Sequence, residues 1–405
     1  TSYVSSFVYN SISKKTDYET KINNTSLKSS DDWEKLQDPD KIMNIVEEIL
    51  ADSLNKYSNI KGIGITGQMH GILYIDSQGN AISPLYTWQD GRANQYYRNN
   101  KSYATFLSEV TGYELATGYG LVTHFYNKVN NLIPYGAEKI CTIMDYVVMK
   151  LSGKKKPLTD CSNGASLGFF DVENLKFDYL ALDKVGIDAS IIPELDDSVS
   201  CIGYYNDIPV YTATSDNQAA FLGSVQDIYK SIHITVGTSS QISVYSDKFI
   251  KISGLDTRPF PGGGYILVGA ALCGGQAFSM LKVFFEKTLN MFYVNKTAPP
   301  DIYKFMTSIP YKDNLQDIPV VKTLFDGTRF SPLERGSIYN ISIDNFTPEN
   351  IIIGFLKGIC HELYNFYDNL PDEIKKEKNN IVGSGNALKK NRYYVWFLKN
   401  NSTIV

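Results

Sequence analysis

In "VYTATSDNQAAFLGSV" an apolar run at residues 209–214 stops two residues short of a carboxylate, Asp216, and a small-residue, helix-forming segment follows through Asn217. This order puts the acid at the mouth of a strand-to-helix turn. An aspartate there is ionised at neutral pH and can accept a proton, or it can serve as an ordinary helix cap. Both readings stand on these residues alone.

Four other stretches carry chemistry-bearing side chains. In "TVGTSSQIS", Gly237, Thr238 and Ser239 sit in a turn between two strand-like runs, where backbone N–H groups and hydroxyls can converge on phosphate oxygens. Turn preference selects the same residues without a ligand. In "VGSGNALKKN", Gly383, Gly385 and Asn386 come after a strand and before a helix, suiting either a nucleotide contact or a plain helix start. Gly274 and Gly275 of "GAALCGGQAF" pose a similar choice between close packing and a ligand.

Gln68, Met69 and His70 of "GQMHG" follow a strand-like run and offer an amide and an imidazole suited to reading hydroxyls. Their alternative is a structural histidine beside a core methionine. In "LYTWQDGR", Trp88 could stack on a polyol while Asp90 and Arg92 hydrogen-bond to it, or the acid and base could pair with each other in a turn.

The elements that must position these groups are legible in outline. Residues 38–53, "DPDKIMNIVEEILADS", space Ile42, Ile45, Val46, Ile49 and Leu50 for an amphipathic helix opened by Asp-Pro. "IKGIGIT" and the apolar end of "GQMHGILYID" read as strands, with "SQGN" as a turn. "TIMDYVVMKLSG" predicts a buried helix within a helical, aromatic-rich stretch from 92 to 200, and "SIHITVGTSSQISVYS" predicts a hairpin. "TPENIIIGFLKGICHELYNFYDNL" predicts a long helix, followed by a short run at Ile381 and Val382, the "GSGN" loop and a helical "ALKKNRYYVWFL". The opening "TSYVSSFVYN" resembles "TSSQISVYS", as though each half carried one copy of a hairpin, with Thr1 and Ser2 the tail of a turn.

At 405 residues the chain can bury two cores, and the expected division is 1–225 and 226–405. With 43% hydrophobic and 20% charged residues it reads as globular, and a net charge of -4 gives no electrostatic case for nucleic acid. Five scattered cysteines without a CxxC pair suggest neither a disulfide framework nor a zinc site. No apolar run reaches the roughly 18 residues of a membrane span, and the start lacks a signal-peptide pattern. The expectation is a soluble cytoplasmic protein, with "YYVWFL" open to core burial or to a homodimer interface.

Taken in order, "ITGQMHG", "LYTWQDGR", "TSDNQAA", "VGTSS" and "GSGNALKKN" resemble the FGGY carbohydrate kinases over residues 60 to 395. The resemblance implies a two-lobed α/β fold of the actin-like, ribonuclease H-like type, with mixed sheets flanked by helices closing over sugar and ATP. It implies a sugar-binding first lobe with Asp216 as catalytic base and Met69 and His70 as sugar contacts, to which the reading of the residues themselves adds Gln68, Trp88, Asp90, Arg92 and Asn217 as candidates. For an ATP-binding second lobe it implies Thr238 in the phosphate loop and Gly385 with Asn386 in the adenosine loop, to which the reading of the residues themselves adds Gly237, Ser239, Gly274, Gly275 and Gly383 as candidates.

Mg2+ is implied as cofactor, with no residue assigned to it. Within the family, "TWQDGR", "TGYGLVTHF", "CSNGASLGFFD" and "GSGNALKKN" are most similar to members that phosphorylate sedoheptulose, members acting on D-xylulose being the alternative. Family members begin with an acidic Asp-x-Gly-Thr turn, inside which this chain opens, and continue past its final "NNSTIV". A relative that binds sugar without phosphorylating it is therefore a third reading.

Overall fold

The computed structural model describes residues 3–196, 198–292, 301–309, 317–328, 333–385 and 387–388. Two compact units divide the chain: Thr1–Ala219 with Pro259–Gly263, and Ala220–Arg258 with Gly264–Val405. The division falls inside the helix Asp216–Ser224.

The first unit opens with an antiparallel hairpin, Tyr3–Asn10 against Lys15–Ile22. The amphipathic helix follows at Pro39–Lys56, where the Asp38 side chain accepts from the backbone N–H groups of Asp40 and Lys41. The strand Leu73–Ile75 separates two apolar clusters by its period of two. Leu73 and Ile75 join Ile143, Val147, Val210 and Ala213 on one side, and Tyr74 joins Ile72, Leu121, Val122 and Phe125 on the other. The predicted buried helix is Ile143–Leu151, closed by a reciprocal capping box between Thr142 and Asp145.

Strands in this unit are shorter than the sequence suggests. "IKGIGIT" yields Thr66–Gly67 with an isolated bridge at Ile63, and residues 209–214 split into Ile208–Tyr211 and Thr214–Ser215. The backbone ladder nevertheless continues, through Ile63 N to Pro209 O at 2.9 Å, Tyr211 N to Ile63 O at 3.1 Å and Thr214 N to Ile65 O at 3.1 Å. Thr66–Gly67 and Thr214–Ser215 are parallel partners, with Ser215 opposite Gly67.

The second unit is built on a five-stranded sheet in which Tyr265–Ala271, Ser240–Ser246, Ser231–Val236 and Asn380–Ser384 are neighbours in that order. The hairpin is present, Val236 pairing with Ser240 across the turn, and Asn380–Ser384 runs parallel to Ser231–Val236. Ile232, Ile234 and Val236 share a core with Ile352, Phe355, Leu356, Ile359 and Leu363 of the long helix Pro348–Asp368. His233 and Thr235 alternate with these strand residues and meet Ser384 instead. Thr1 and Ser2, Asn386 and most of the helical "ALKKNRYYVWFL" lie outside the described residues.

Candidate active site

In the first unit, two of the candidate groups lie at the carboxyl ends of two adjacent parallel strands. Gln68 is the residue after Gly67 and Asp216 the residue after Ser215, so both leave their strands at one level. Asp216 is exposed and is the first residue of its helix rather than the residue before it. That position favours a carboxylate through the helix dipole, worth about 0.3–1 kcal/mol. Open α/β sheets take ligands at the carboxyl ends of their strands.

Beyond Gln68, whose Nε2 donates to Gln37 Oε1 at 3.1 Å, Met69 turns inward and is buried. His70 is half-buried with φ +75°, a left-handed conformation rare for a residue with a Cβ. Its ring Nδ1 donates to the Ser166 carbonyl at 2.8 Å, and its backbone N–H donates to Ser166 Oγ at 3.1 Å. A neutral imidazole with a proton on Nδ1 carries its acceptor lone pair on Nε2, the form that accepts from a hydroxyl.

Trp88 is 43% exposed, leaving ring surface on which a polyol can stack. Asp90 and Arg92 are different. At 0% and 1% exposure they cannot meet a dissolved polyol without rearrangement, which corrects their reading as direct contacts. Arg92 Nε donates to Asp90 Oδ1 at 2.5 Å, Nη1 to Asn127 Oδ1 at 2.6 Å and Nη2 to Glu34 Oε1 at 3.3 Å. Its guanidinium lies 4.2 Å from the Tyr86 ring centroid. The pair holds the turn that presents Trp88, because Asp90 also accepts from Lys35 N at 3.1 Å and its carbonyl from Thr117 Oγ1 at 3.0 Å.

A group not singled out from sequence underlies these strand ends. Asp160 is buried at the start of the helix Cys161–Leu167 and accepts from Ser162 Oγ at 2.7 Å, Thr214 Oγ1 at 2.9 Å and Asn163 N at 2.8 Å. Burial raises its pKa against the pull of those donors. Ser215 Oγ donates to Asn163 Oδ1 at 2.7 Å, and Asn163 Nδ2 donates to Ala213 O at 3.2 Å. The signal was the run of small polar residues in "TDCSNGAS" directly after a strand, where an interior position obliges each to find a partner.

In the second unit, Thr238 and Ser239 are exposed at the tip of the hairpin. Gly274 and Gly275 pack against it. A Cβ on Gly274 would come within 2.5 Å of the Ser239 carbonyl carbon, and one on Gly275 within 2.4 Å of Gly237 O. That approach brings the start of the 18-residue helix Gly275–Phe292 onto the turn, with Gly275 N donating to Gly237 O at 2.8 Å and Gln276 N to Thr238 O at 3.0 Å. Gly385 follows Ser384, which is in register with Thr235. At φ +97°, a Cβ on Gly385 would lie 2.4 Å from Val236 O. Exposed Gly383 belongs to the same strand end, so a hydroxyl-bearing turn, a glycine loop and a helix start meet at one end of two parallel strands.

The family model "FGGY family of carbohydrate kinases, N-terminal domain" matches residues 1–223. The chain belongs to the FGGY family of carbohydrate kinases. It is similar to sedoheptulokinase of Mus musculus, 28% identical over 397 residues, covering 88% of this chain and 79% of that one. Xylulose kinase of Staphylococcus xylosus is 30% identical over 211 residues, covering 47% of this chain and 43% of that one. Among solved structures, a xyloylose kinase from Brucella ovis superposes with a TM-score of 0.79 at 16% identity, covering 98% of this chain and 82% of that one. A Plasmodium falciparum glycerol kinase with ADP gives 0.75 at 20% identity, covering 98% and 82%.

The FGGY chain therefore has the two-domain actin-like ATPase fold and is a sugar kinase, a phosphotransferase whose family implies ATP as co-substrate. Among the described residues no helix is long and apolar enough to cross a membrane, and no group of three or more His, Cys, Asp or Glu forms a metal site.

Proposed function

We propose that this FGGY kinase transfers the γ-phosphoryl group of ATP to the terminal hydroxyl of a ketose, with sedoheptulose the preferred acceptor and sedoheptulose 7-phosphate the product. The observation that carries the reading is the shared level of Asp216 and Gln68 at two parallel strand ends. The choice of sugar is supported by the similarity to the mouse sedoheptulokinase over 88% of the chain.

A sugar alcohol is a weak nucleophile at neutral pH. Asp216 accepts the hydroxyl proton as the oxygen attacks the γ-phosphorus, and the bond to the ADP leaving oxygen breaks in line. His70, through Nε2, and Trp88 read the sugar's hydroxyls and face, assisted by Gln68 and Asn217. The Gly237–Thr238–Ser239 turn and the adjoining helix start donate to the phosphate oxygens, and Gly383 with Gly385 lines the adenosine side. Mg2+ in such sites binds mainly through substrate phosphates, one or two carboxylates and water, and Asp216, as the proton acceptor, is not assigned to it. Five cysteines, none of them in a disulfide, fit the reducing cytoplasm as the place of action.

An assay coupling ADP release to NADH oxidation, run with sedoheptulose, D-xylulose, D-ribulose and glycerol, tests this. We expect the highest kcat/KM with sedoheptulose. A preference for D-xylulose replaces the substrate, and sugar binding without ADP release removes the kinase reading in favour of a sugar-binding protein.

A further inference from the structure

Both ends of the Cys161–Leu167 helix are spent on the candidate sugar site. Near its start, the Asn163 amide clamps the chain leading into Asp216, accepting from Ser215 Oγ at 2.7 Å and donating to Ala213 O at 3.2 Å. Three residues on, Ser166 takes the His70 backbone N–H on its hydroxyl and the His70 ring on its carbonyl. The Ser166 hydroxyl is itself fixed, donating to Asn163 O at 2.7 Å. Asn163 is fully buried and Ser166 nearly so.

We infer that this short helix sets the spacing between the proton acceptor and the hydroxyl-reading histidine, with Asn163 and Ser166 as positioning residues. The inference rests on the roles proposed above for Asp216 and His70. A left-handed backbone in a residue with a Cβ persists where neighbours over-determine it. For His70 those neighbours are the Ser166 hydroxyl and carbonyl, together with the Tyr119 ring at 4.7 Å between centroids. The carbonyl bond also fixes the ring tautomer. Because Asn163 and Ser166 are joined by one hydrogen bond within a single helical turn, a shift of the helix moves both reacting-side groups together.

Steady-state kinetics with sugar varied at saturating ATP, together with 15N NMR of the His70 ring in the free protein, test the inference. Ser166→Ala removes the hydroxyl that holds His70 N–H. It should raise the KM for sugar on the order of tenfold while kcat stays within about threefold, as expected when ground-state binding is lost. Asn163→Ala should do the reverse, lowering kcat on the order of tenfold with KM little changed, because the proton acceptor is misplaced.

In wild type the 15N shifts should report an Nδ1–H ring, and Ser166→Ala should perturb them. Unchanged kinetic constants in folded Ser166→Ala overturn the inference, as does a loss of kcat that tracks lost folded protein with KM constant. If wild type turns over no sugar, the kinase reading has failed and NMR decides alone: His70 signals altered in Ser166→Ala sustain the positioning role, and identical signals end it.

Discussion

Asp216 and Gln68 are the first residues beyond one register pair, Ser215 opposite Gly67, on parallel strands that lie side by side. Neighbouring parallel strands are about 4.8 Å apart, so two segments separated by almost 150 residues of sequence deliver a carboxylate and an amide to one place. Asp216→Asn keeps size and hydrogen-bonding capacity but removes proton affinity. Turnover should fall on the order of 10²–10⁴-fold, the usual contribution of a general base. Melting temperature should move little, since the carboxylate is exposed and its helix-dipole contribution is about 1 kcal/mol or less. Coupled ADP assays and thermal melts on the same preparation check both halves, and near-normal turnover removes Asp216 from the role.

Trp88 and Arg92 should separate binding from stability. Trp88→Ala removes exposed ring surface and should raise the KM for sugar several-fold with an unchanged melting temperature. Arg92→Ala leaves Asp90 buried without its cation, a change that typically costs about 3–5 kcal/mol. Arg92→Lys should rescue little, because an ammonium cannot supply donors toward Asp90, Asn127 and Glu34 at once. Urea unfolding of the three variants checks the ranking.

How far the site could be read from sequence followed from where each signal was local. The Asp38 cap, the Thr347-Pro348 helix start and the hairpin around Gly237 are set by neighbouring residues, and all three are present. For Asp90 and Arg92 the sequence left a polyol contact and an internal pair both open, because the burial that decides for the pair depends on Tyr86, Asn127 and Glu34, scattered over almost 100 residues and brought together by packing. Asn163 and Ser166 lie in the family-like stretch "CSNGASLGFFD" but received no role, for a related reason. Small hydroxyl and amide side chains after a strand look like a loop until their partners, Ser215 and His70, arrive from elsewhere. Gly274 and Gly275 carried two meanings that no local pattern separates, and the structure packs them closely under the candidate phosphate turn, where both meanings can hold at once.

Gly385→Ala probes the second unit. At φ +97° a Cβ is strained by backbone geometry alone, and here it would also meet Val236 O at 2.4 Å. A non-glycine residue held in such a region costs about 1–3 kcal/mol, and relief requires the loop to move away from Val236. The variant should show a lower melting temperature and a raised KM for ATP, with the KM for sugar near wild type. Equal effects on both substrates would argue for general loosening instead.

Asp145 and His124 should give opposite pH signatures. Burial pushes the Asp145 carboxyl up to about 7 despite donors from Thr142 and Thr159, and burial pushes His124, beside the Tyr74 hydroxyl, down to about 4. Between pH 4 and 7 the folded chain holds a proton on Asp145 that the unfolded chain has released, so this group's contribution to stability falls as pH rises. Between pH 6.5 and 4 the unfolded chain binds a proton on His124 that the folded chain refuses, so that contribution falls as pH drops. The two slopes oppose each other across their shared window. Asp145→Asn abolishes one of them and keeps an amide oxygen to accept from Thr142 and Thr159. Relative to wild type, it should gain stability steadily from pH 4.5 to 7.5, by a few kcal/mol at most. Urea midpoints at four pH values across that range measure the difference, and a constant offset between the two proteins would mean that Asp145 is ionised in the fold throughout.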